Sequence, residues 1–341
     1  MSSPPIKVAV LGFGMSAQGA RRAEHFHLTT ILERSATADS SKTRDAFPEV
    51  KVVAHLQHAI LNAGKHVVCE KPLTPTSAEA YELAELASQK NLVLAVYQNR
   101  RWDSDFLTLK QVLAENRLGE VSEFTSHFDR YKNEAATTKL WKEKDLPGKE
   151  AAYDLGSHLV DQILALFGKP QAVTGFVRNS RLIGNPDVPA SFLIHLHYPS
   201  TSEAGRRLPL IATARGSVLS LVSPQMRFTV KGTKGAFIKH GLDVQEDQLK
   251  KGAKSAVDQA DFGVEPKELQ GTLYQVEGPQ IWAKRIETKT GNYKAWFENF
   301  AEAIRSKDRS KLIVTPEAAA LTIEIIEKAT QSSKEGRTIQ L

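Results

Sequence analysis

Three groups of residues in this sequence have types and spacings that could do chemistry. Gly12-Phe-Gly-Met-Ser-Ala follows a short apolar run, and its backbone N–H groups at a helix start could hold a pyrophosphate. Lys71, in the string Cys-Glu-Lys-Pro that ends another apolar run, could stabilise negative charge on an oxygen atom. Asp154 and His158 are four residues apart, so a helix would place them on one face, where an imidazole can exchange a proton near neutral pH.

Two of these groups also have an ordinary structural explanation. The glycine segment is a G-x-G-x-x-A variant, which can be no more than a tight turn between a strand and a helix. An Asp-x-x-x-His spacing, taken alone, is usually a solvated helix face. The position of Lys71 carries more information, because ligands bind at the carboxyl ends of parallel strands. Whether each group is functional or structural therefore depends on the helices and strands that are predicted around it.

A further charged segment bears on which dinucleotide the glycine segment would hold. Glu33 lies 21 residues after Gly12, near the spacing at which an acidic residue holds the ribose hydroxyls in NAD-binding proteins. Arg34 and Ser35 follow directly and could instead bind a 2′-phosphate, which favours NADP. A solvated charge at the end of a strand would also explain these residues.

Other side chains of chemical interest favour structural roles. His195 and His197 lie on one face of a predicted strand, and because no third ligand has a suitable spacing, a pair on the sheet surface is favoured over a zinc site. Cys69 is most simply a small buried residue. The four tryptophans could line a pocket or fill the core, and the sequence leaves both open. No metal site is predicted.

The order of predicted elements indicates two different architectures. Up to about residue 98, short apolar strands alternate with helices, which predicts a parallel sheet with right-handed crossovers. After Trp102, the sequence predicts helices at 106–116 and 152–167, a strand at 121–131, further strands between 172 and 240, and closing helices at 293–306 and 316–334. Residues 249–271 are polar and predict a surface loop.

These elements predict an α/β fold in which a Rossmann-like parallel sheet precedes an α+β domain with an open antiparallel sheet. The predicted domains are residues 1–102, which would bind a dinucleotide, and residues 103–341, which would bind substrate and dimerise. A length of 341 residues suits about two domains.

Composition excludes several classes of protein. One cysteine excludes an intramolecular disulfide and favours a reducing compartment. No run approaches the roughly 18 apolar residues of a membrane span, so we expect a cytoplasmic protein that does not bind membranes. The net charge of +6 argues only weakly for polyanions, and the lysines at 250–254 lack the aromatic residues of a nucleic-acid site.

In combination, these motifs resemble the glucose-fructose oxidoreductase and inositol dehydrogenase family (Gfo/Idh/MocA). The glycine segment, the Glu-Lys-Pro strand end and the Asp-x-x-x-His helix occur in the family's order, and the resemblance covers nearly the whole chain. The branch that it resembles most is marked by four strings, which are Asn99-Arg-Arg-Trp-Asp-Ser-Asp-Phe106, Ser126-His-Phe-Asp-Arg130, Lys239-His-Gly-Leu-Asp-Val-Gln-Glu246 and Gly291-Asn-Tyr293.

The resemblance implies an NAD(P)-dependent oxidoreductase acting on a hydroxyl or carbonyl of a sugar-like or polyol-like molecule. His158 would be the acid/base, Asp154 would support it by hydrogen bonding, and Lys71 would contact both cofactor and substrate. Asn99 would position the nicotinamide or the substrate. The cofactor, NADP or NAD, would be held by Gly12, Phe13, Gly14, Met15, Glu33, Arg34, Ser35, Glu70, Lys71 and Asn99. We also expect a homodimer formed through the open sheet.

One departure from the family concerns the predicted parallel sheet. Relatives have a further strand, with a Thr-Pro-Asn-x-x-His type of loop, between segments that here are Val53-Ala-His-Leu-Gln57 and His58-Ala-Ile-Leu-Asn-Ala-Gly64. The missing strand would lie beside the first one, at the point where the cofactor crosses the sheet. A second hypothesis is therefore a non-catalytic protein that senses a cofactor or a sugar on the same scaffold.

Overall fold

The structure is a computed structural model that describes residues 6–11, 26–32, 51–53, 57–134, 150–181, 183–200, 207–251 and 259–341. The chain divides into two compact units. Unit one comprises residues 1–99 and 293–321, and unit two comprises residues 100–292 and 322–341. The sequence-based domains, 1–102 and 103–341, stay a prediction, because they were defined by the ligand that each would bind, whereas the two units are defined by how compactly the chain packs.

Unit one contains a parallel sheet. Its strands are β1 (Ile6–Leu11), β2 (Phe26–Leu32), β3 (Lys51–Val53), β4 (Val67–Cys69) and β5 (Leu94–Val96), in the spatial order β3-β2-β1-β4-β5. The helices of this unit are α1 (Gln57–Asn62), α2 (Ser77–Gln89), α6 (Lys294–Arg305) and the start of α7 (Pro316–Glu335). The order, with the first strand inside the sheet, is the Rossmann arrangement that the alternating pattern predicts.

The first strand pairs directly with the strand that carries Glu-Lys-Pro. Val10 lies opposite Val68, and Leu11 lies opposite Cys69. In a sheet of the order 3-2-1-4-5-6, another strand would separate these two. The direct pairing is therefore the arrangement expected of a sheet that lacks the family's additional strand.

Local sequence explains why α2 begins and ends as it does. Thr76 and Glu79 form a capping box, in which the threonine hydroxyl accepts from the Glu79 N–H and the glutamate accepts from the Thr76 N–H. The helix buries one apolar stripe, consisting of Ala80, Leu83, Ala84 and Ala87. Asn91, in the left-handed region at φ 52°, leads the chain out of the helix towards β5.

The core of unit one also settles the role of one tryptophan. Trp296 on α6 is 2% exposed, and its indole N–H donates to the carbonyl of Val96 at 3.2 Å. Its ring meets that of Tyr97 edge to face, with centroids 5.0 Å apart. Trp296 is thus a core residue that ties α6 to the end of β5.

Unit two is built around a larger, mixed sheet. Its described strands are β6 (Val121–His127), β7 (Ala172–Arg178), β8 (Ser191–Tyr198), β9 (Leu210–Ser217), β10 (Met226–Gly232), β11 (Gly235–His240), β12 (Thr272–Glu277), β13 (Gln280–Arg285) and β14 (Ile339–Gln340). Their spatial order is β13-β12-β11-β10-β6-β9-β8-β7-β14. All described neighbours are antiparallel except β6 and β9, which are parallel, so the prediction of a mostly antiparallel sheet is confirmed.

The two faces of this sheet differ in composition. Large apolar residues such as Phe124, Ile194 and Phe237 are fully buried on one face. On the other face, the register aligns a row of small polar and imidazole side chains, which are Thr174, His195, Thr213, Thr125 and Thr229. This second face is the open one, and Phe176 and Ile211 remain 49% and 47% exposed on it.

The helices of unit two include α3 (Ser104–Ala114), α4 (Ser157–Phe167), α5 (Gln245–Lys250) and the end of α7. The helix predicted at 152–167 begins differently from a regular helix, because Ala152–Gly156 form a π-helical turn. Such turns often mark functional sites. Gly156 allows this turn to approach Phe192, since a Cβ at Gly156 would lie only 3.3 Å from that ring.

The polar stretch 249–271 is only in part the predicted loop. Its first residues belong to α5, and Lys267–Leu269 form a short 3₁₀ helix. The hairpin of β12 and β13 was not predicted, because its exposed strands lack a buried apolar face apart from Leu273. Within the described ranges, every helix is too short or too polar to cross a membrane.

Candidate active site

In unit one, the candidate residues follow β4 at the carboxyl edge of the sheet. Val67, Val68 and Cys69 are all buried, whereas Glu70 and Lys71 directly after them are half-buried. Because Leu11 pairs with Cys69, the ends of β1 and β4 lie at the same edge. This edge is where sheets of this type bind dinucleotides.

The residues beside this edge have clear structural roles as well. Cys69 is 4% exposed, and its thiol donates to the carbonyl of Leu73 at 3.8 Å, as expected for a small buried residue. The peptide between Lys71 and Pro72 is cis. Asn99, the last residue of unit one, is 5% exposed and begins a 3₁₀ helix, Asn99–Trp102. The remaining predicted cofactor residues lie outside the described residues and stay predictions, namely Gly12, Phe13, Gly14, Met15, Glu33, Arg34 and Ser35.

In unit two, the predicted acid/base lies at the start of α4. His158 is the second residue of this helix and is 7% exposed, and Asp154 lies in the π-helical turn just before it. The ring of Phe128 stacks against the imidazole, with centroids 6.5 Å apart and planes inclined by 27°. The imidazole is therefore held in a restricted, mostly buried position.

Phe128 also lies beneath two arginines, which the sequence analysis did not assign to the site. The guanidinium carbons of Arg100 and Arg130 lie 4.9 and 4.8 Å from the centre of its ring. Arg100 forms ion pairs with Asp103, at 3.3 Å, and with Glu246. All of these residues lie in the family-like strings 99–106, 126–130 and 239–246, but the strings alone gave no indication of what each residue does.

Those strings meet in unit two. The carboxylate of Asp243 accepts from the N–H of Ser104 and from the N–H of Gln245, each at 2.8 Å. The side-chain amide of Gln245 donates to the carbonyl of Trp102 at 3.2 Å. Gly291 packs onto this arrangement so closely that a Cβ there would lie 2.2 Å from the Gln245 amide. Segments far apart in sequence thus form one buried polar cluster, in which Ser104 and Trp102 are hydrogen-bonded to Asp243 and Gln245.

Two cations in this cluster are almost completely buried. Arg227 is paired with Asp105 at 2.7 Å, and neither side chain is exposed. Lys239, with 1% of its side chain exposed, is paired with Glu265 at 3.2 Å. A bulge in the pairing of β10 with β11, between Met226 and Phe228, accounts for the inward direction of Arg227.

Burial changes the protonation of the acidic groups. Burial raises the pKa of Asp103 well above its ordinary value, the charge of Arg100 lowers it in part, and Asp243 and Asp105 raise it further by repulsion. Burial likewise raises the pKa of Asp243. It also raises that of Glu265, against the opposing charge of Lys239. These three carboxyls therefore keep their protons to a higher pH than they would in water.

The histidines of the open face have the structural character expected of them. Nδ1 of His195 lies 2.9 Å from the hydroxyl of Thr213, and Nε2 of His197 lies 2.8 Å from that of Thr174. Burial lowers the pKa of both histidines, and for His195 the charge of His197 lowers it further. Among the described residues, no group of three or more His, Cys, Asp or Glu side chains is placed to bind a metal ion.

Comparisons with known proteins agree with this architecture. Residues 54–98 match the family model described as "Oxidoreductase family, NAD-binding Rossmann fold", and residues 110–341 match the model of the family's C-terminal alpha/beta domain. The crystal structure of the Bacillus subtilis protein YvaA superposes with a TM-score of 0.85 at 32% identity and covers 100% of this chain and 99% of that chain. An oxidoreductase from Bacillus cereus gives a TM-score of 0.81 at 28% identity and covers 98% and 99%.

Two relatives extend the match to the full length. The Schizosaccharomyces pombe protein named "Uncharacterized oxidoreductase C115.03" is 39% identical over 375 positions, covering 99% of this chain and 100% of the relative. Because the chain has 341 residues, at least 34 of those positions face a gap in it. The scyllo-inositol 2-dehydrogenase (NADP(+)) IolW of Bacillus subtilis is 34% identical and covers 98% and 96%. The chain therefore belongs to the Gfo/Idh/MocA oxidoreductase family.

Proposed function

We propose that the chain is an NADP-dependent oxidoreductase that transfers hydride to or from a hydroxyl or carbonyl carbon of a sugar-like or polyol-like molecule. The observation that carries this proposal is the half-buried pair Glu70 and Lys71 at the end of β4, directly beside β1. The relative IolW, whose name states an inositol substrate and NADP(+), supports the substrate class and the cofactor.

The described part of unit one fits a nicotinamide dinucleotide. The pairing of Leu11 with Cys69 brings the ends of β1 and β4 to one sheet edge, and the Glu-Lys-Pro string follows β4 directly. When bound, the nicotinamide would accept or supply the hydride. Lys71 would place a positive charge at this edge, which suits a dinucleotide and an oxygen that gains negative charge during reaction.

The proton of the reacting hydroxyl needs a separate acceptor. A secondary alcohol loses hydride readily only as its O–H proton leaves, so a base with a pKa near neutrality must reach that oxygen. We assign this role to His158, whose ring is held against Phe128. Asp154, in the turn that precedes α4, would support the imidazole by hydrogen bonding.

Preference for NADP would come from Arg34 and Ser35, which lie outside the described residues. An Arg34→Ala variant should lose its preference for NADP over NAD, because a guanidinium binds a 2′-phosphate through charge-assisted hydrogen bonds. Cofactor affinities measured by calorimetry would show this change. Unchanged preference would remove the argument for NADP.

Thermal unfolding with NADP, with NAD and with neither tests the cofactor directly. A ligand at 100 times its Kd stabilises a fold that has a site for it by about 2.7 kcal/mol. Lys71→Ala should reduce this stabilisation, whereas Lys65→Ala, at an exposed lysine of the same unit, should not. His158→Asn should keep the stabilisation and lose turnover of scyllo-inositol. A protein that neither cofactor stabilises would contradict the proposal.

A second candidate is a regulatory protein that binds a cofactor or a sugar without turning it over. It is favoured by the direct pairing of β1 with β4, which is the arrangement expected of a sheet without the family's additional strand. Strong cofactor binding without turnover of any polyol or carbonyl would support it. A biological phenotype that depends on His158 would argue against it.

The homodimer remains part of the proposal. The open face of the sheet presents exposed Phe176 and Ile211 beside the row of threonines, a composition suited to a second copy of the same face. Light scattering would give the mass in solution. Ile211→Glu should convert a dimer to a monomer, because it would bury a charge in the interface.

A further inference from the structure

The start of α4 is held by arginines from two other parts of unit two. His158, Asp161 and Gln162 lie one helical turn apart, at spacings of three and four residues, so they share a face. All three are buried. The helix emerges from the π-helical turn without a side-chain cap at Gly156, so capping does not fix its first turn.

Asp161 is held by Arg101 in a two-point contact. Nε of Arg101 donates to Oδ2 at 2.8 Å, and Nη2 donates to Oδ1 at 2.7 Å. The two side chains are 11% and 2% exposed. A bidentate guanidinium–carboxylate pair fixes distance and orientation together, which a lysine cannot do.

Gln162 is held at both ends of its amide. Its oxygen accepts from Nη2 of Arg227 at 2.8 Å, and its nitrogen donates to the carbonyl of Arg100 at 2.6 Å. Arg227 is itself fixed by Asp105, at 2.7 Å, and by the hydroxyl of Ser126, at 3.0 Å. The helix face is therefore connected to the 3₁₀ helix after β5 and to the bulge of β10.

We propose that Arg101 and Arg227 are positioning residues for His158, acting through Asp161 and Gln162 on the same face of α4. The inference rests on the proposed function, in which His158 moves the proton of the substrate. Neither arginine needs to touch substrate, because each fixes the helix turn that follows the imidazole. A catalytic group displaced by about 1 Å can lose roughly 100-fold in rate, so a rigid support of this kind has a large effect on turnover.

The first experiment compares Arg101→Lys with a matched control, Arg117→Lys. Arg117 also belongs to unit two and pairs with Glu115 at 3.4 Å, but its side chain is 35% exposed and donates to Glu115 and Gln275, neither of which belongs to α4. With scyllo-inositol and NADP as the probes, Arg101→Lys should lower kcat roughly 10- to 100-fold while KM changes by less than about threefold. The control should keep both constants.

The second experiment does not depend on turnover. The imidazole signals of the 10 histidines are recorded by NMR, and His158→Asn identifies the signal of His158 by its loss. That signal should shift or broaden in Arg101→Lys and remain unchanged in Arg117→Lys. Asp161→Asn provides a second variant with the same expected result, should Arg101→Lys fold poorly.

The possible outcomes separate this inference from the proposed function. If His158→Asn abolishes turnover while Arg101→Lys and Asp161→Asn keep wild-type kcat and the wild-type imidazole signal, the positioning role is wrong and the proposed function stands. If His158→Asn turns over as well as the wild type, the proposed function fails. An altered signal together with a lower kcat at nearly constant KM supports both.

Discussion

Replacement of Arg227 by methionine should destabilise unit two severely. Arg227 donates to Asp105 at 2.7 Å, to Gln162 at 2.8 Å, to Ser126 at 3.0 Å and to the carbonyl of His127 at 3.2 Å. Methionine is of similar length but cannot donate a hydrogen bond to any of these acceptors. Oδ1 of Asp105 already makes no hydrogen bond to a described residue, so its carboxylate would be buried with no cation beside it.

The magnitude follows from the burial of the pair. Breaking a fully buried ion pair by removing one partner costs about 3–5 kcal/mol, because the remaining charge is uncompensated. Unit two is of a size at which 1 kcal/mol corresponds to roughly 2–4 °C in Tm. We therefore expect Arg227→Met to lower the Tm by about 6–20 °C, measured by circular dichroism or calorimetry.

A control on the same strand isolates the effect of burial. Lys231 pairs with Glu123 at 2.7 Å, but the two side chains are 56% and 60% exposed, so Lys231→Met should cost at most about 1 kcal/mol. The double variant Arg227→Met with Asp105→Leu should recover most of the lost stability, since it removes both charges. The reasoning would be refuted if Arg227→Met melted within about 2 °C of Lys231→Met, or if the double variant melted no higher than Arg227→Met.

Three further predictions concern other parts of the molecule. Burial raises the pKa of Asp103, so the stability that this group contributes is fully present below its ordinary pKa and is lost as the pH rises through the raised pKa. In Asp103→Asn, the free energy of unfolding, measured with urea between pH 4 and 8, should therefore decline less with rising pH. Gly175→Ala should lower the Tm by several degrees, since its Cβ would lie 2.1 Å from the carbonyl oxygen of Ala329 and push α7 from β7. Trp296→Phe should lower the free energy of unfolding of unit one by about 1–2 kcal/mol, because it removes the hydrogen bond to Val96 and part of the buried ring. Amide hydrogen exchange would measure this change.

The sequence predicted those parts of the fold that depend on local periodicity. The alternating strands of unit two were visible because burial in a strand with one buried face follows a period of 2 residues. The hairpin of β12 and β13 was missed, because an exposed edge has no such periodicity. The π-helical turn at 152–156 was missed as well, since its extra residue is compatible with an ordinary helical pattern.

In the candidate site, too, the residues within short motifs could be predicted from the sequence, whereas those buried by distant partners could not. His158 and Lys71 could be proposed from the sequence because each lies in a short motif of the family that the sequence resembles, and their roles stay predictions. The buried ion pairs of Arg101, Arg227 and Lys239 were not predicted, because charged residues are expected at the surface and their burial depends on partners far away in sequence. The bulge at Arg227 reverses the side-chain direction that simple alternation would assign.

The way in which the chain passes between the two units has a consequence for its biosynthesis. Unit one includes residues 293–321, and the edge of the sheet in unit two is formed by β14, in which Ile339 lies opposite Val173. A ribosome delivers residues at about 5–20 per second, and N-terminal segments usually fold first. Here helix α6 of unit one and edge strand β14 of unit two both come late in the chain, so a nascent chain would hold a parallel sheet without α6 and a mixed sheet in which the β7 edge is unpaired. We therefore expect chaperone binding during translation to persist until residues 293–341 have emerged.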